Sequence, residues 1–467
     1  MKKRFITTLA AGLVPAMFAA ELYVDNVEGD DSNPGTKEKP FRTFKKSLSV
    51  LKGSDTLNIV PTKEPYREEF GSLSKKHSGT PEKPTVVDGH GAFLTRMNHF
   101  PASRWKSEGN DVFSIRFKHN VVIMSGKGYY DGFPFIFVDG KPLKCVKKRA
   151  DLVPNSCFFF LYWDPKTRKL HKDHSMLYIK LEAGKTPANV KIMAPEPNDV
   201  IVGGSYITVK NINAQWSSSD LFDTHRGKGI IFENIKASDC MDQCISAHST
   251  AGCIVRYSFF RNALAKCVLD ITFRSNEDCR MLYNGCIFER GGAGFQGSGH
   301  YEVKNCIIRD NTRSALMARQ NAELKVSNCT MISGKDGRFG LSLGSNAKVT
   351  MENCTFIGFK HGVNIWSKAA KLSLRNCVFI DCKEVFWLGN GATPAQITFD
   401  NCIFTATPVF KVGKKSFKGL QALSQAYPEA GKNCRELTPV EKPTGGSDLP
   451  PDLTLEQLTR IVKNKKN

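Results

Sequence analysis

The chain has 467 residues, 41% of them hydrophobic, with 15 cysteines and a formal net charge of +21. That length exceeds one ordinary globular domain, and that apolar content supports an extensive core, which excludes global disorder. The charge bears on partners and solubility, not on fold.

Met1-Lys2-Lys3-Arg4 and the apolar stretch that follows, ending in Ala19-Ala20, have the form of a secretory signal peptide. As a membrane anchor the stretch is shorter than the ~20 apolar residues of a span, and Thr7, Thr8 and Pro15 interrupt it. We therefore expect residues 1–20 to be a leader and the mature chain to be a secreted or periplasmic monomer without a membrane span. Removing the leader's three basic side chains leaves +18. For an exported protein this favours an anionic polysaccharide over nucleic acid as partner; the competing reading is charge spread over the surface for solubility.

Residues 21–100 read as an N-terminal cap and the first coils of a stack. Residues 21–25 form a short strand, 29–36 a turn-rich loop, and 40–48 carry apolar residues at helical spacing, which predicts a helix covering the open end. Residues 101–196 hold aromatic and β-branched runs between Gly, Pro and Asp clusters, such as Phe135-Ile136-Phe137-Val138, which predicts an inserted small antiparallel β-sandwich. From 197 to 410 the chain becomes periodic. Residues 411–440 close it, with a short helix near 417–423, and 441–467 are a linker-like tail ending in a second short helix.

The periodic part is marked by Asn305-Cys306, Asn328-Cys329, Asn353-Cys354, Asn376-Cys377 and Asn401-Cys402, with Cys286 one step upstream. A self-similar period of roughly 20–25 residues means stacked units that bury their cores against each other. Short strands before and after each Asn-Cys corner, without long helical patterns, predict a right-handed parallel β-helix. Leucine-rich repeats share the period but need leucine at fixed offsets. Cysteines at one structural position point the same way, so we expect them to stack inside as small hydrophobes. Disulfides and zinc fit less well: no paired Cys-x-x-Cys spacing occurs, and Cys240 and Cys244 lack a second ligand pair.

Several segments resemble the pectin-lyase-like superfamily of secreted β-helix proteins. They are the opening Tyr23-Val24-Asp25 and the Gly29-Asp30-Asp31-Ser32-Asn33-Pro34-Gly35-Thr36 loop, the coil Pro84-Thr85-Val86-Val87-Asp88-Gly89, and the insertion with Trp105, Phe137-Val138-Asp139-Gly140 and Leu177-Tyr178-Ile179. They are most similar to β-helix glycoside hydrolases of the xylosidase and fucosidase type. The resemblance implies a carbohydrate-active protein. The chain lacks the Asn-Thr-Asp and Arg-Ile-Lys signatures of polygalacturonases, and a clear pectate-lyase arginine motif.

Outward side chains of a β-helix form columns with neighbours about 4.8 Å apart, so distant residues can build one site. Lining up the coils places Asp223, Ser246 to His248 and Asp270 together, with Asp220, Asp239 and Asp242 nearby. A carboxylate pair of Asp242 with Asp223 or Asp270 suits glycoside hydrolysis, with His248 and Arg274 orienting the substrate. The alternative for Asp239 and Asp242 is corner capping. A second reading is eliminative cleavage by Lys266 or Arg290, where a base removes a proton beside a neutralised carboxylate. Lys266, Arg290, Arg313, Arg319 and Arg338 recur about once per coil and suit a polyanionic chain. A third reading is a non-catalytic glycan-binding protein. Trp366 and Trp387 in consecutive coils suggest an outward stacking platform for sugar rings. No cofactor is expected and no metal centre is assigned; convergence of Asp223, Asp239 and Asp242 would be the arrangement that suits calcium.

Overall fold

The computed structural model describes residues 19–437 except 118–134, 161–162, 165–168, 171–175, 198–199, 273–278 and the single positions 312, 336, 390, 406, 407, 429, 430 and 432. Residues 1–18 of the leader, Arg274 and the tail from 438 therefore lie outside the described residues.

Each coil contributes one strand to each of three long sheets. In one coil the strands are Ile230–Glu233 in sheet 1, Lys236–Cys240 in sheet 2 and Gln243–His248 in sheet 3. Successive coils pair in parallel, and sheets 1, 2 and 3 contain 12, 11 and 12 strands. Alternation decides which face each residue takes. Ile230 and Phe232 are buried inside, while Ile231 between them faces outward, and the same parity repeats in the neighbouring coils. The core is one continuous column from Leu22 to Phe410.

The Asn-Cys pair is the corner between sheets 1 and 2. Asn305, Asn328, Asn353, Asn376 and Asn401 all sit at positive φ, between 48° and 54°, a left-handed conformation that asparagine tolerates better than most residues. Each amide Nδ2 donates to the amide oxygen of the asparagine one coil earlier, at 2.9–3.2 Å. The asparagine thus both turns the chain and ties consecutive corners. The following cysteine points inward. The backbone N–H groups of Cys286 and Cys306 donate to the sulfur of the next coil's cysteine at 3.4 and 3.5 Å. All 15 cysteines are free thiols. Burial pushes the thiols of Cys244, Cys253 and Cys267 well up, so they stay protonated and inert.

Phe44–Val50 forms helix α1, capped by Thr43, whose hydroxyl accepts from the Lys46 N–H at 3.1 Å. Its Phe44 ring packs on Tyr66 and Phe70 with centroids 5.0 and 4.8 Å apart and closes the N-terminal end. At the other end Lys415–Lys418 folds back antiparallel on Val409–Val412, and helix α2, Leu420–Ala426, follows. These are the α-helices among the described residues, and neither is long and apolar enough to cross a membrane.

Within the first full coil, between its sheet 2 strand Phe93–Thr95 and its sheet 3 strand Val200–Val202, stand two small, mainly antiparallel sheets of four and five strands. Their facing side chains, including Phe100, Ile115, Phe159, Leu177 and Ile192, share one core with Met241 and Leu264 of the helix corners. Trp216 meets Phe135 and Phe137 edge-on at 6.4 and 5.4 Å. Its indole is a wedge between insertion and helix, and holds the insertion beside the corner that carries Asp242.

Candidate active site

The outer face of sheet 3 carries a cluster of two acids, two imidazoles and a hydroxyl. Phe222–His225 and Gln243–His248 pair so that Asp223 lies beside Ser246 and His225 beside His248. Phe222 and Ile245 point into the core, which turns these four outward. Asp220, at the preceding corner, joins them.

Ser246 Oγ is 3.0 Å from both Asp220 Oδ2 and Asp223 Oδ1, and 3.3 Å from His248 Nε2. Asp220 Oδ1 also accepts the Gln243 N–H at 2.7 Å. One hydroxyl has one hydrogen to donate, so it satisfies one carboxylate at a time. His225 Nε2 is 2.7 Å from Asp223 Oδ2, and the two imidazoles stack with centroids 4.9 Å apart. The carboxylates are largely buried, whereas the His225 side chain is 46% exposed. An incoming molecule therefore meets imidazole first and carboxylate behind it. Burial lowers the His248 pKa, against the pull of Asp223, which keeps that ring neutral near neutral pH.

Asp223, His225 and His248 present donor atoms within 4.8 Å of one another. Two nitrogens and one oxygen suit zinc or another transition ion better than calcium, which takes oxygen ligands. The calcium convergence does not form. Asp239 sits at a corner of sheet 2 with φ 59° and accepts from Gln215 and Asn262 at 2.7 and 2.8 Å. Asp242 lies in the same corner region and accepts from the Gln243 side chain. Asp239 is thus tied within sheet 2, and it is Asp220 that joins Asp223 through the Ser246 hydroxyl.

Asp270 points the other way. Val268 and Asp270 are inside and Leu269 outside, the reverse of what polarity suggests. Its two carboxyl oxygens each lie 3.0 Å from the Tyr283 hydroxyl, and burial raises its pKa well above the ordinary value. It cannot form a substrate-facing pair with Asp223. Because the folded-state pKa is raised, this acid is neutral in both states below about pH 4. Above that, the unfolded chain ionises while the folded one does not, so stability falls with rising pH. Asp270→Asn is expected to flatten this fall, since the amide stays neutral and still accepts from Tyr283. Denaturant midpoints of both proteins from acid to neutral pH check this; parallel profiles would refute it.

Lys266 lies one coil beyond Gln243 on the same face. The Cβ of any residue at Gly294 would come within 3.0 Å of Lys266 Cδ, so glycine there leaves room for the lysine stem across the next coil. Burial, and then the guanidinium groups of Arg319 and Arg313, lower its pKa to about 8. The sheet thus passes from an acid–imidazole cluster to a cationic one. Arg290 does not belong to either: it is exposed at a sheet 2 corner with φ 57°. Trp366 and Trp387 both turn outward around buried Ile365 and Leu388, but not one above the other. Asn364 is the residue opposite Trp387, which shifts the two indoles by two residues along the strands.

The residues that sequence reasoning underweighted are Asp220, His225 and Ser246. Their signal was present: Asp223-Thr224-His225 and Ser246-Ala247-His248 have the same spacing one period apart.

Residues 270–407 match the family model described as a right handed beta helix region. No curated protein matches the chain in sequence. Among solved structures, XylC in complex with xylose superposes with a TM-score of 0.57 and 13% identity, over 85% of this chain and 76% of that chain. A structure described as a glycoside hydrolase gives 0.49 and 11%, over 95% and 98%. Pectate lyase Pel9A gives 0.45 and 10%, over 92% and 82%. At such identities the likeness speaks of fold. With its three parallel sheets and the matched repeat, the chain is a right-handed parallel β-helix protein.

Proposed function

We propose that the protein is an exported carbohydrate-active enzyme that cleaves a uronate-containing polysaccharide by β-elimination on the outer face of sheet 3. The observation that carries this reading is the exposed His225 imidazole held at 2.7 Å by the buried Asp223 carboxylate, on the face that also carries Lys266 and Arg319. Elimination needs a base for the proton on the carbon beside the carboxylate, and positive charge to stabilise the anion that develops there. His225 takes the proton, and Asp223 orients the ring and stabilises its charged form. The carbon–hydrogen electron pair becomes the double bond as the bond to the glycosidic oxygen breaks, and that oxygen leaves with the bond's electron pair and takes a proton from water. Lys266, one coil beyond Gln243, neutralises the uronate. The XylC and glycoside hydrolase likenesses are compatible with a sugar substrate and do not choose the reaction.

A second reading, glycoside hydrolysis, is favoured by Asp220 and Asp223 sharing the Ser246 hydroxyl, an arrangement suited to one protonated and one ionised acid. Incubation with polygalacturonate and with neutral glycans separates the two. Elimination yields unsaturated, ultraviolet-absorbing ends; hydrolysis yields new reducing ends without that absorbance, and this outcome would sink the first reading.

The role of Lys266 has its own sign. As a neutralising cation it must be protonated, so activity should fall as pH rises through about 8. Lys266→Arg is expected to retain activity and move that falling limb upward, because guanidinium stays charged. A rate that instead rises through this pH would make Lys266 the base.

A further inference from the structure

Beyond the acid–imidazole cluster, the same face of sheet 3 carries two arginines laid against aromatic rings. The Arg319 guanidinium is 5.3 Å from the Trp366 ring centroid, and that of Arg338 is 5.0 Å from Phe339 and 5.7 Å from Trp387. Both indoles are half-buried and set in place. The Trp366 ring fills the space over Gly344, where the Cβ of another residue would lie 1.9 Å from it. Trp387 packs on His361, whose centroid is 5.1 Å away. One carboxylate in this region, Glu384, is hydrogen-bonded to His361 at 2.6 Å and lies 3.6 Å from the Lys411 ammonium, so it is directed to protein partners.

An arginine on an aromatic plane loses less freedom when it binds, and its fork matches carboxylates and sulfates in a bidentate way. We infer that these two aromatic-backed arginines form a binding track for the repeating anionic groups of a linear glycan, separate from the reacting centre. Asp223 and Trp387 are seven coils apart in the pairing order, roughly 34 Å at one strand spacing per coil. A chain held at both places is a polymer, not a short oligomer. This rests on the reading of sheet 3 as the carbohydrate face, but not on which reaction occurs there. Nucleic acid shares the negative charge; continuity with the proposed sugar-cleaving cluster favours the glycan.

The test uses the Asp223→Asn protein, impaired under either reaction, so that polymer is not consumed, and measures its affinity for polygalacturonate, dextran and single-stranded DNA. Polygalacturonate binding is expected to be tighter than binding to the other two. Arg338→Gln should weaken it roughly tenfold, a loss of about 1.4 kcal/mol. Trp387→Ala should weaken it similarly, Trp387→Phe should restore most of it, and the Arg338→Gln/Trp387→Ala pair should cost little more than either change alone. Arg338 is exposed, so its replacement keeps the test valid even where Trp387→Ala unfolds coils. Polygalacturonate binding unchanged by Arg338→Gln, no preference over dextran, or equal binding of DNA would each overturn the inference. Binding without any cleavage by the parent protein would instead defeat the enzymatic reading and leave this one standing.

Discussion

Replacing His225 with alanine is expected to lower turnover of polyuronate by roughly 10²–10⁴-fold, the usual contribution of a positioned general base, while leaving the fold intact. The side chain faces outward and is 46% exposed, so its loss opens Asp223 to water and leaves no core cavity. Exogenous imidazole should restore part of the rate, which a merely structural histidine would not allow. Asp223→Asn is expected to be nearly as damaging, because the amide neither fixes the ring by charge nor stabilises its protonated form. The hydrolase reading orders the same variants differently. There Asp220→Asn and Asp223→Asn abolish cleavage, and His225→Ala retains most of it. The rank order of the three therefore decides the mechanism, and equal activity in all three would remove the site from catalysis.

The second large effect concerns the core. Phe356, Phe379 and Phe404 occupy one inward position in three consecutive coils. Their rings stack with centroids 4.5 and 5.4 Å apart and planes 5° and 23° apart. The inward Cβ directions at Gly340 and Gly362 run into Phe356 and Phe379, with nearest ring atoms 2.5 and 2.9 Å from an added Cβ, so these glycines make space for the column. Phe379→Ala is expected to cost about 3–5 kcal/mol, the loss of burial plus the cavity left behind. In a solenoid each coil is stabilised by its neighbours, so the damage should be local. Hydrogen exchange should rise in residues 355–412 before it rises in coils near 207–260, and denaturation should lose its single transition. A loss below about 1 kcal/mol, or uniform deprotection, would show that the stack is not the coupling element; typical substitutions fall near that value.

Legibility in the sequence followed the strength of local patterning. The Asn-Cys corners were readable because two needs recur every period: a residue that accepts positive φ, and a small apolar side chain directed inward. Helix α1 was readable from its spacing and turn residues, though it starts at Phe44, not near Pro40. The site was only partly readable. Period alone brought Asp223 together with Ser246 to His248, but the His225–His248 pairing came only from the strand register, and Asp270 went to the wrong face. Leu269-Asp270 looks like an apolar residue inside and an acid outside. The strand parity, imposed by Val268 and the coils above and below, reverses it, and the Tyr283 hydroxyl makes the buried acid tolerable.

The amino-acid sequence by itself therefore determined the repeat, its corners and the architecture, because these depend on local conformation and on burial that each coil restates. Only the tertiary structure decided that Asp270 faces inward, that Asp220 joins Asp223 through Ser246, and that Trp366 and Trp387 are offset with an arginine against each. Those facts depend on strand parity and on the path of each corner. A shift of one residue reverses a side chain from solvent to core, and nothing in the local pattern of an isolated Leu-Asp pair records that choice.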